Sequence, residues 1–338
     1  MSASPVTPHS LISKRLEFAD DAAAMEYYTE QGWTDGLPVV PPTPSRVARF
    51  LDQAGRPASA IIGTEPTKGR VITTEKVAIN AVMAGCLPEY LPLILAAVEA
   101  ICEPKFNLHA VSVSTMGAAV LTVVNGPVVG ELGLRSGVDL FGPGNRGNAT
   151  IGRAIRLVIT NASGAVSGEL DKAALGHPGK YTWCIAEAED NSPWIPLHVS
   201  RGYDADSSTV TVFVARYMID INGGGSTPEP ELSRIALAMA NPASVFTGEY
   251  LTEPRIYRRT SLRDRDSHEM YDGHCLVIIG PPLSRVLERH KWTKTGVSEF
   301  LHLNARVRFS DLAGTQAVGG SSAETRAEAL RPAIPLKF

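Results

Sequence analysis

Cysteine is scarce in this chain: four residues in 338, at positions 86, 102, 184 and 275, with no two at C-x-x-C spacing. That argues against a disulfide scaffold and against a locally built dithiol or zinc knuckle. Aromatic residues are also few, at 7%, whereas there are 30 glycines and 24 prolines. Such a balance fits an α/β protein with many tight turns better than a helical bundle. Charge of neither sign dominates: 32 Lys and Arg face 35 Asp and Glu, for a net −3, with no basic block. Nucleic acid is therefore not an expected partner. Long apolar runs are missing too, because the richest stretch, 77–102, is interrupted by Pro88, Glu89 and Pro92. The opening MSASPVTPHSLISKRLEF has no apolar centre of the kind a secretory leader carries. No membrane span is expected, and the cytoplasm is the expected compartment. Eight histidines include no H-x-x-x-H or H-E-x-x-H, and no G-x-S-x-G occurs, so neither a metal site nor a serine hydrolase elbow is expected.

What is present is 44% hydrophobic residues, enough for a substantial core in one large or two ordinary domains. Residues 1–16 read as a draped arm, and 17–31 as a helix with Phe18, Ala22, Met25 and Tyr28 at helical spacing. Asp35-Gly36 makes a turn, and prolines 38, 41, 42 and 44 force an extended strap before a helix from Ser45 to Gln53. Residues 61–72 read as two short strands about EPTKG. Thr73 and Thr74 then open a helix that Gly85 stops, and Pro88 opens another running to Cys102. LHAVSVSTM from 108 and AAVLTVVNG from 118 alternate as strands, and a glycine-rich loop leads into a helix over 148–160. Further strands are expected at YTWCIAEAE, STVTVFVARYMI and HCLVIIG, and helices at GGGSTPEPELSRIALAMANP, PLSRVLERH and TGVSEFLHLNARV.

The pattern predicts an α/β fold, two-lobed, with mixed sheets flanked by helices and an extended N-terminal strap. The division expected is 1–60 for the arm, helix and strap, 61–215 for a first α/β lobe, 216–312 for a second, and 313–338 for a C-terminal tail.

Cys86 stands between a helix end and a proline-led helix start. If it faces the unpaired N–H groups of that start, its thiolate is favoured and it is a nucleophile; if AGC packs small against small, it is a buried hydrophobe. His109 is the nearest histidine along the chain. The loop GPGNRG matches G-x-G-x-x-G, but the preceding RSGVDLF makes a poor strand and Glu169 falls in a loop, which argues against a dinucleotide cofactor. No cofactor is predicted. A glycine loop feeding a helix still aims amides outward, so Gly144, Asn145, Arg146, Asn148, Thr150 and Arg153 are candidates for holding a substrate carboxylate or phosphate; a tight turn capped by Asn148 or Thr150 is the alternative. Strand ends commonly carry reacting groups, which points to Ser114, Thr115, Asn125, Gly126, Glu187 and Glu189. His268, His274 and Cys275 lie close together in DSHEMYDGHC, at a spacing that matches no metal motif.

The strings GWTDGLPVVPPT, AVMAGCLPEYLP, FNLH, NGP, GPGNRGNATIGRAIRL and HPGKYTWCIAEAEDNSPW resemble, over residues 25–305, a bacterial family: the large component associated with UGSC-type (seleno)proteins. In that family the large region accompanies a short redox segment of Cys or selenocysteine, Gly, Ser and Cys. Its implied partner is a small redox (seleno)protein, and the tail from Ala313 offers a docking segment for it or for a second copy. No cysteine here has another three positions on, so a second thiol would come from a partner or from a cysteine distant in sequence.

Together these readings predict an enzyme that cleaves a carbon–heteroatom bond in a small anionic organic substrate, as a lyase or by thiol-dependent reductive cleavage. Cys86, His109 and Asn125 would be its catalytic residues and an oligomer its form. The alternative is a noncatalytic substrate-binding or scaffold subunit of a redox (seleno)protein complex.

Overall fold

The structure, a computed structural model, describes residues 10–65, 67–221, 223–240, 275–307 and 334–335. The chain divides into two compact units, Met1–Asp190 with Ile195–Met218, and Asn191–Trp194 with Ile219–Phe338.

In the first unit, helix α1 (Asp21–Glu30) starts where the Asp20 side chain accepts from the Ala23 N–H, and α2 (Pro44–Leu51) starts where Thr43 accepts from Arg46. Strands β1 (Ile61–Glu65) and β2 (Arg70–Thr73) pair antiparallel. Thr73 then caps α3 (Thr74–Met83) by accepting from the Lys76 N–H. Gly85, at φ 83°, takes the left-handed turn that ends α3, and the Cys86 N–H donates back to the Ala81 carbonyl. Pro88–Tyr90 forms a single 3₁₀ turn, so α4 (Leu91–Cys102) begins one turn later than the proline suggested.

The segment from Leu108 is not a strand. It is a short helix, α5 (Leu108–Val113), entered through Asn107 in the left-handed conformation. Leu108, Val111 and Ser112 are its buried positions, a spacing of three and four that the apparent alternation concealed.

Strand β3 (Ala119–Asn125) is followed by the single turn α6 (Val128–Glu131) and the long helix α7 (Arg146–Asn161). Strand β4 is limited to Cys184–Ala186; a turn, α8 (Leu197–Ser200), precedes strand β5 (Thr209–Ala215). The sheet order is β4-β3-β5, with β4 parallel and β5 antiparallel to β3. Helices with small mixed sheets place the chain in the α/β class.

The core of this unit is built by α3, α4 and α7 against one face of the sheet, with Val77, Ala81, Leu91, Ile94, Ile151 and Ile155 all buried. Each large aliphatic side chain placed there contributes about 1.5–3 kcal/mol. Helix α7 reaches the sheet closely because Gly152 has no side chain: a Cβ there would lie 2.6 Å from the Trp183 backbone nitrogen. Its direction follows from two contacts. Asn148 in its first turn donates to the Cys184 carbonyl at the start of β4, while Arg156 and Ile159 line a cleft with Ala119 and Val120 at the start of β3. So α7 runs antiparallel to β3, and its first turn lies toward the edge where β3 and β4 end.

In the second unit, α9 (Pro228–Met239), α10 (Pro281–Arg289) and α11 (Lys294–Asn304) bury Leu232, Leu287 and Leu301 together. Strands β6 (Arg306–Val307) and β7 (Ile334–Pro335) pair antiparallel. The expected strand HCLVIIG does not form over its described part: residues 275–280 have no regular structure and lead straight into α10. Among the described residues no strand pairs with this run, so its apolar content packs without a ladder, with Val277 and Ile279 against the helical core. His268 and His274 lie outside the described residues, as does nearly all of the tail from 313. Among the described residues no helix is long and apolar enough to cross a membrane.

Candidate functional site

The structure brings Cys86 and the helix that follows the glycine loop together. The Cys86 thiol donates to the Thr150 carbonyl of α7 at 3.2 Å, and the Arg146 guanidinium donates to the Gly85 carbonyl at 3.0 and 2.9 Å. Cys86 faces carbonyl oxygens on both sides. It is the residue whose N–H closes the end of α3, and it is buried, at 6% exposure. Burial pushes the thiol up to about 12, against the opposing pull of the Thr150 hydrogen bond and of Arg146 and Arg153. Enclosure outweighs these groups and leaves Cys86 a thiol.

The other candidates around the loop are engaged within the fold. The Asn145 side chain accepts from the Asn148 N–H and donates to the Gly133 carbonyl, so it caps α7. Asn148 accepts from the Arg135 N–H and donates to the Arg135 and Cys184 carbonyls. Thr150 donates back to the Arg146 carbonyl, and Gly144 supplies a turn at φ 98°. Arg153 holds Asp35 through two nitrogens at 2.7 and 2.8 Å and also donates to the Pro38 carbonyl, which fastens the proline-rich segment to α7. What stays open at the start of α7 is the amide N–H of Arg146 and of Gly147, for which no acceptor stands among the described residues.

His109 meets a different partner. Its Nδ1 lies 3.0 Å from Oε1 of Glu65, a carboxylate at 1% exposure that also accepts from the Thr67 and Lys68 N–H groups. Burial works to raise the Glu65 carboxyl, but the Lys68 and Thr67 amides and His109 outweigh it and hold it below its ordinary range.

The densest polar grouping lies at the end of the central strand. Asn125 is fully buried, and its Nδ2 donates to Glu187 at 2.6 Å and to Glu189 at 2.7 Å. Glu189 also accepts from the Gly126 N–H at 2.8 Å, and Glu187 from the Leu197 N–H at 2.8 Å. His198, buried in α8, brings Nδ1 to 3.5 Å from Glu189 and Nε2 to 3.4 Å from the Ala205 carbonyl. Neither His198 Nδ1 nor Asn125 Oδ1 makes a hydrogen bond, although both atoms are buried. The geometry depends on Gly126, at φ 87°, where a Cβ would run into the Ser207 carbonyl.

Asn125, Glu187 and Glu189 are strand-end residues of parallel neighbours, the position where α/β sheets collect reacting groups. His198 has no counterpart in the sequence reading; its one signal was a histidine nine positions past a strand-end carboxylate. Ser114 and Thr115 precede β3 at its opposite end. The cluster can orient a carboxylate and accept an N–H or O–H at Asn125. Among the described residues no three His, Cys, Asp or Glu side chains are placed to hold a metal ion. No protein-family model, curated protein or solved structure matches this chain.

Proposed function

We propose that this chain is an enzyme that breaks a carbon–heteroatom bond in a small anionic organic substrate, as a lyase working by proton transfer. The observation that carries the reading is the pair of buried, unpartnered polar atoms, Asn125 Oδ1 and His198 Nδ1, beside two carboxylates where β3 and β4 end. Glu189, whose side chain is 21% exposed, is where the cluster meets solvent. It takes the proton from a substrate carbon, and His198 behind it is the positioning residue. The C–H electron pair becomes the new C=C bond, and the heteroatom leaves with the C–X pair and gains a proton, so no oxidant or reductant is required. Asn125 accepts from an O–H or N–H of the substrate.

Thiol-dependent cleavage is the weaker form of this reading, because Cys86 is protonated and enclosed. The same observation favours a second reading, the noncatalytic subunit. Burial pushes the thiols of Cys86 and Cys184 up to about 12, burial with nearby glutamates pushes Cys102 up to about 11, and burial raises Cys275 as well, so redox chemistry would rest on a partner's thiol or selenol. A two-lobed form with an N-terminal strap, an oligomeric state and a cytoplasmic setting belong to the proposal as well.

The test is a panel of short carboxylic acids bearing hydroxyl, amino or thioether groups β to the acidic carbon, followed by proton NMR for vinyl signals. Wild-type protein is expected to form an alkene from at least one member, and Glu189→Gln to lower kcat by about 100-fold or more. Saturable binding of panel members without any turnover would overturn the enzyme reading and leave the subunit.

A further inference from the structure

The grouping where β3 and β4 end holds more acceptors than donors. Glu187 spends Oε2 on the Asn125 amide and the Leu197 N–H, and Glu189 spends Oε1 on the same amide and the Gly126 N–H. Glu187 Oε1 and Glu189 Oε2 make no hydrogen bond among the described residues, and neither atom is buried. Behind them stand acceptors that are buried and equally unmet. Asn125 is fully buried, and its Oδ1 sits at the other tip of the amide whose Nδ2 bridges the two carboxylates, within about 5 Å of both accepting oxygens. His198, its side chain at 0% exposure, brings Nδ1 to 3.5 Å from Glu189 Oε1 without a hydrogen bond. Thr209 pairs with Asn125 across the β3–β5 ladder, which puts both side chains on one face, and its buried Oγ1 also lacks a partner.

The charge is one-sided as well. Among the described residues no lysine or arginine lies within ion-pair reach of Glu187 or Glu189, and His198 is the one basic group beside them. Two half-buried carboxylates that share one amide nitrogen repel each other, and that amide offsets only part of the cost. Such a place is satisfied by a positive group that only donates. A metal ion is the poorer occupant, because the Asn125 N–H groups point at carboxylate oxygens it would need, and no three His, Cys, Asp or Glu side chains among the described residues are placed to share it. A primary ammonium brings three N–H groups and a single charge. We infer that this grouping receives a primary ammonium group, held by Glu187 Oε1 with Asn125 Oδ1 as its second acceptor, while Glu189 Oε2 stays free to take the carbon-bound proton. The substrate is then a small carboxylic acid that carries a primary amine, and it enters this negative site with its cationic end first. This role for the amine rests on the lyase reading proposed above; its readout is binding and not turnover.

The test is a ligand-observed proton NMR titration of the full chain with methylammonium chloride, with sodium chloride holding the ionic strength constant and tetramethylammonium as the control that has the charge but no N–H. Saturable methylammonium binding is expected, with no competition from tetramethylammonium. In the wild type, 3-aminopropanoate is expected to displace methylammonium and 3-hydroxypropanoate is not, a comparison that needs no variant to fold. Glu187→Gln keeps the shape and removes the charge, and is expected to weaken methylammonium binding by about tenfold or more, with circular dichroism confirming the fold. Absence of saturable methylammonium binding would overturn the inference, as would equal binding of tetramethylammonium, displacement by 3-hydroxypropanoate, displacement by magnesium, or unchanged affinity in a folded Glu187→Gln. Methylammonium has no carbon acid beside a carboxylate and cannot be turned over, so the two readings fail separately. Methylammonium binding with no alkene formed from the panel removes the enzyme and leaves the ammonium site; alkene formation with no methylammonium binding keeps the enzyme and removes the site.

Discussion

A cysteine beside a helix start is only as reactive as the atoms it touches. Cys86 lies near α7, yet its hydrogen-bond partner is the Thr150 carbonyl, and a thiol that donates to a carbonyl in a dry site gains nothing by ionising. Cys86→Ser keeps a donor of similar size in the same place. Its expected effect is a stability change within about 1 kcal/mol, read by urea unfolding, and turnover within about twofold in the elimination assay. A loss of turnover with stability intact would return the sulfur to the mechanism. The residue scale also shows what a sequence conceals. Asn125, Glu187 and Glu189 could be found from the rule that strand ends carry chemistry, because those positions follow from the pattern of the strands. His198 could not, since its approach to Glu189 depends on how the chain folds back after β4, and no local pattern encodes that return.

Among the elements, α7 has the most consequences. Its start is capped by Asn145, its third residue is wired to β4, and Arg153 grips Asp35 and the Pro38 carbonyl. Arg153 and Asp35 have side-chain exposures of 16% and 8%, so removing one partner leaves the other charged and poorly solvated. Arg153→Met is expected to cost about 3 kcal/mol in equilibrium unfolding, with Asp35→Asn comparable. Values near zero would mean that the ion pair is no more than a surface contact. Helices with clear stops were legible along the chain: Thr73 and Gly85 bracket α3, and the start of α7 follows the glycine loop. The errors came where the signal was shorter than the rule. Six residues of α5 fit both periods, and only the left-handed Asn107 and the burial of Leu108, Val111 and Ser112 decide for helix. The run over 275–280 had strand-forming residues but pairs with no strand among the described residues, and side-chain preference alone does not make a ladder.

For the molecule as a whole, the response to acid includes two buried carboxylates among the described residues, Glu65 and Asp171. Burial works to raise Asp171, but Lys180, the Ala173 N–H and Arg156 outweigh it and hold the carboxyl below its ordinary range, as the amides and His109 do for Glu65. A carboxyl depressed in the fold adds stability that is complete above its unfolded value, about 3.9 for Asp and 4.3 for Glu. That contribution is lost as pH falls through the lower, folded value. Unfolding midpoints in urea are therefore expected to hold steady from pH 7 to about 5 on account of these groups and to drop below about 4. Asp171→Asn should flatten that drop; an unchanged acid limb would show that Asp171 is not one of its causes. The α/β class was legible at this scale from composition and element order.

The placement of the four thiols has a practical result. Cys86 and Cys184 are buried, Cys102 is half-buried, and Cys275, in the second unit, is exposed. A maleimide dye added at neutral pH would settle first at position 275, so a single fluorophore can be put on the second unit of the unmodified protein while the first stays dark.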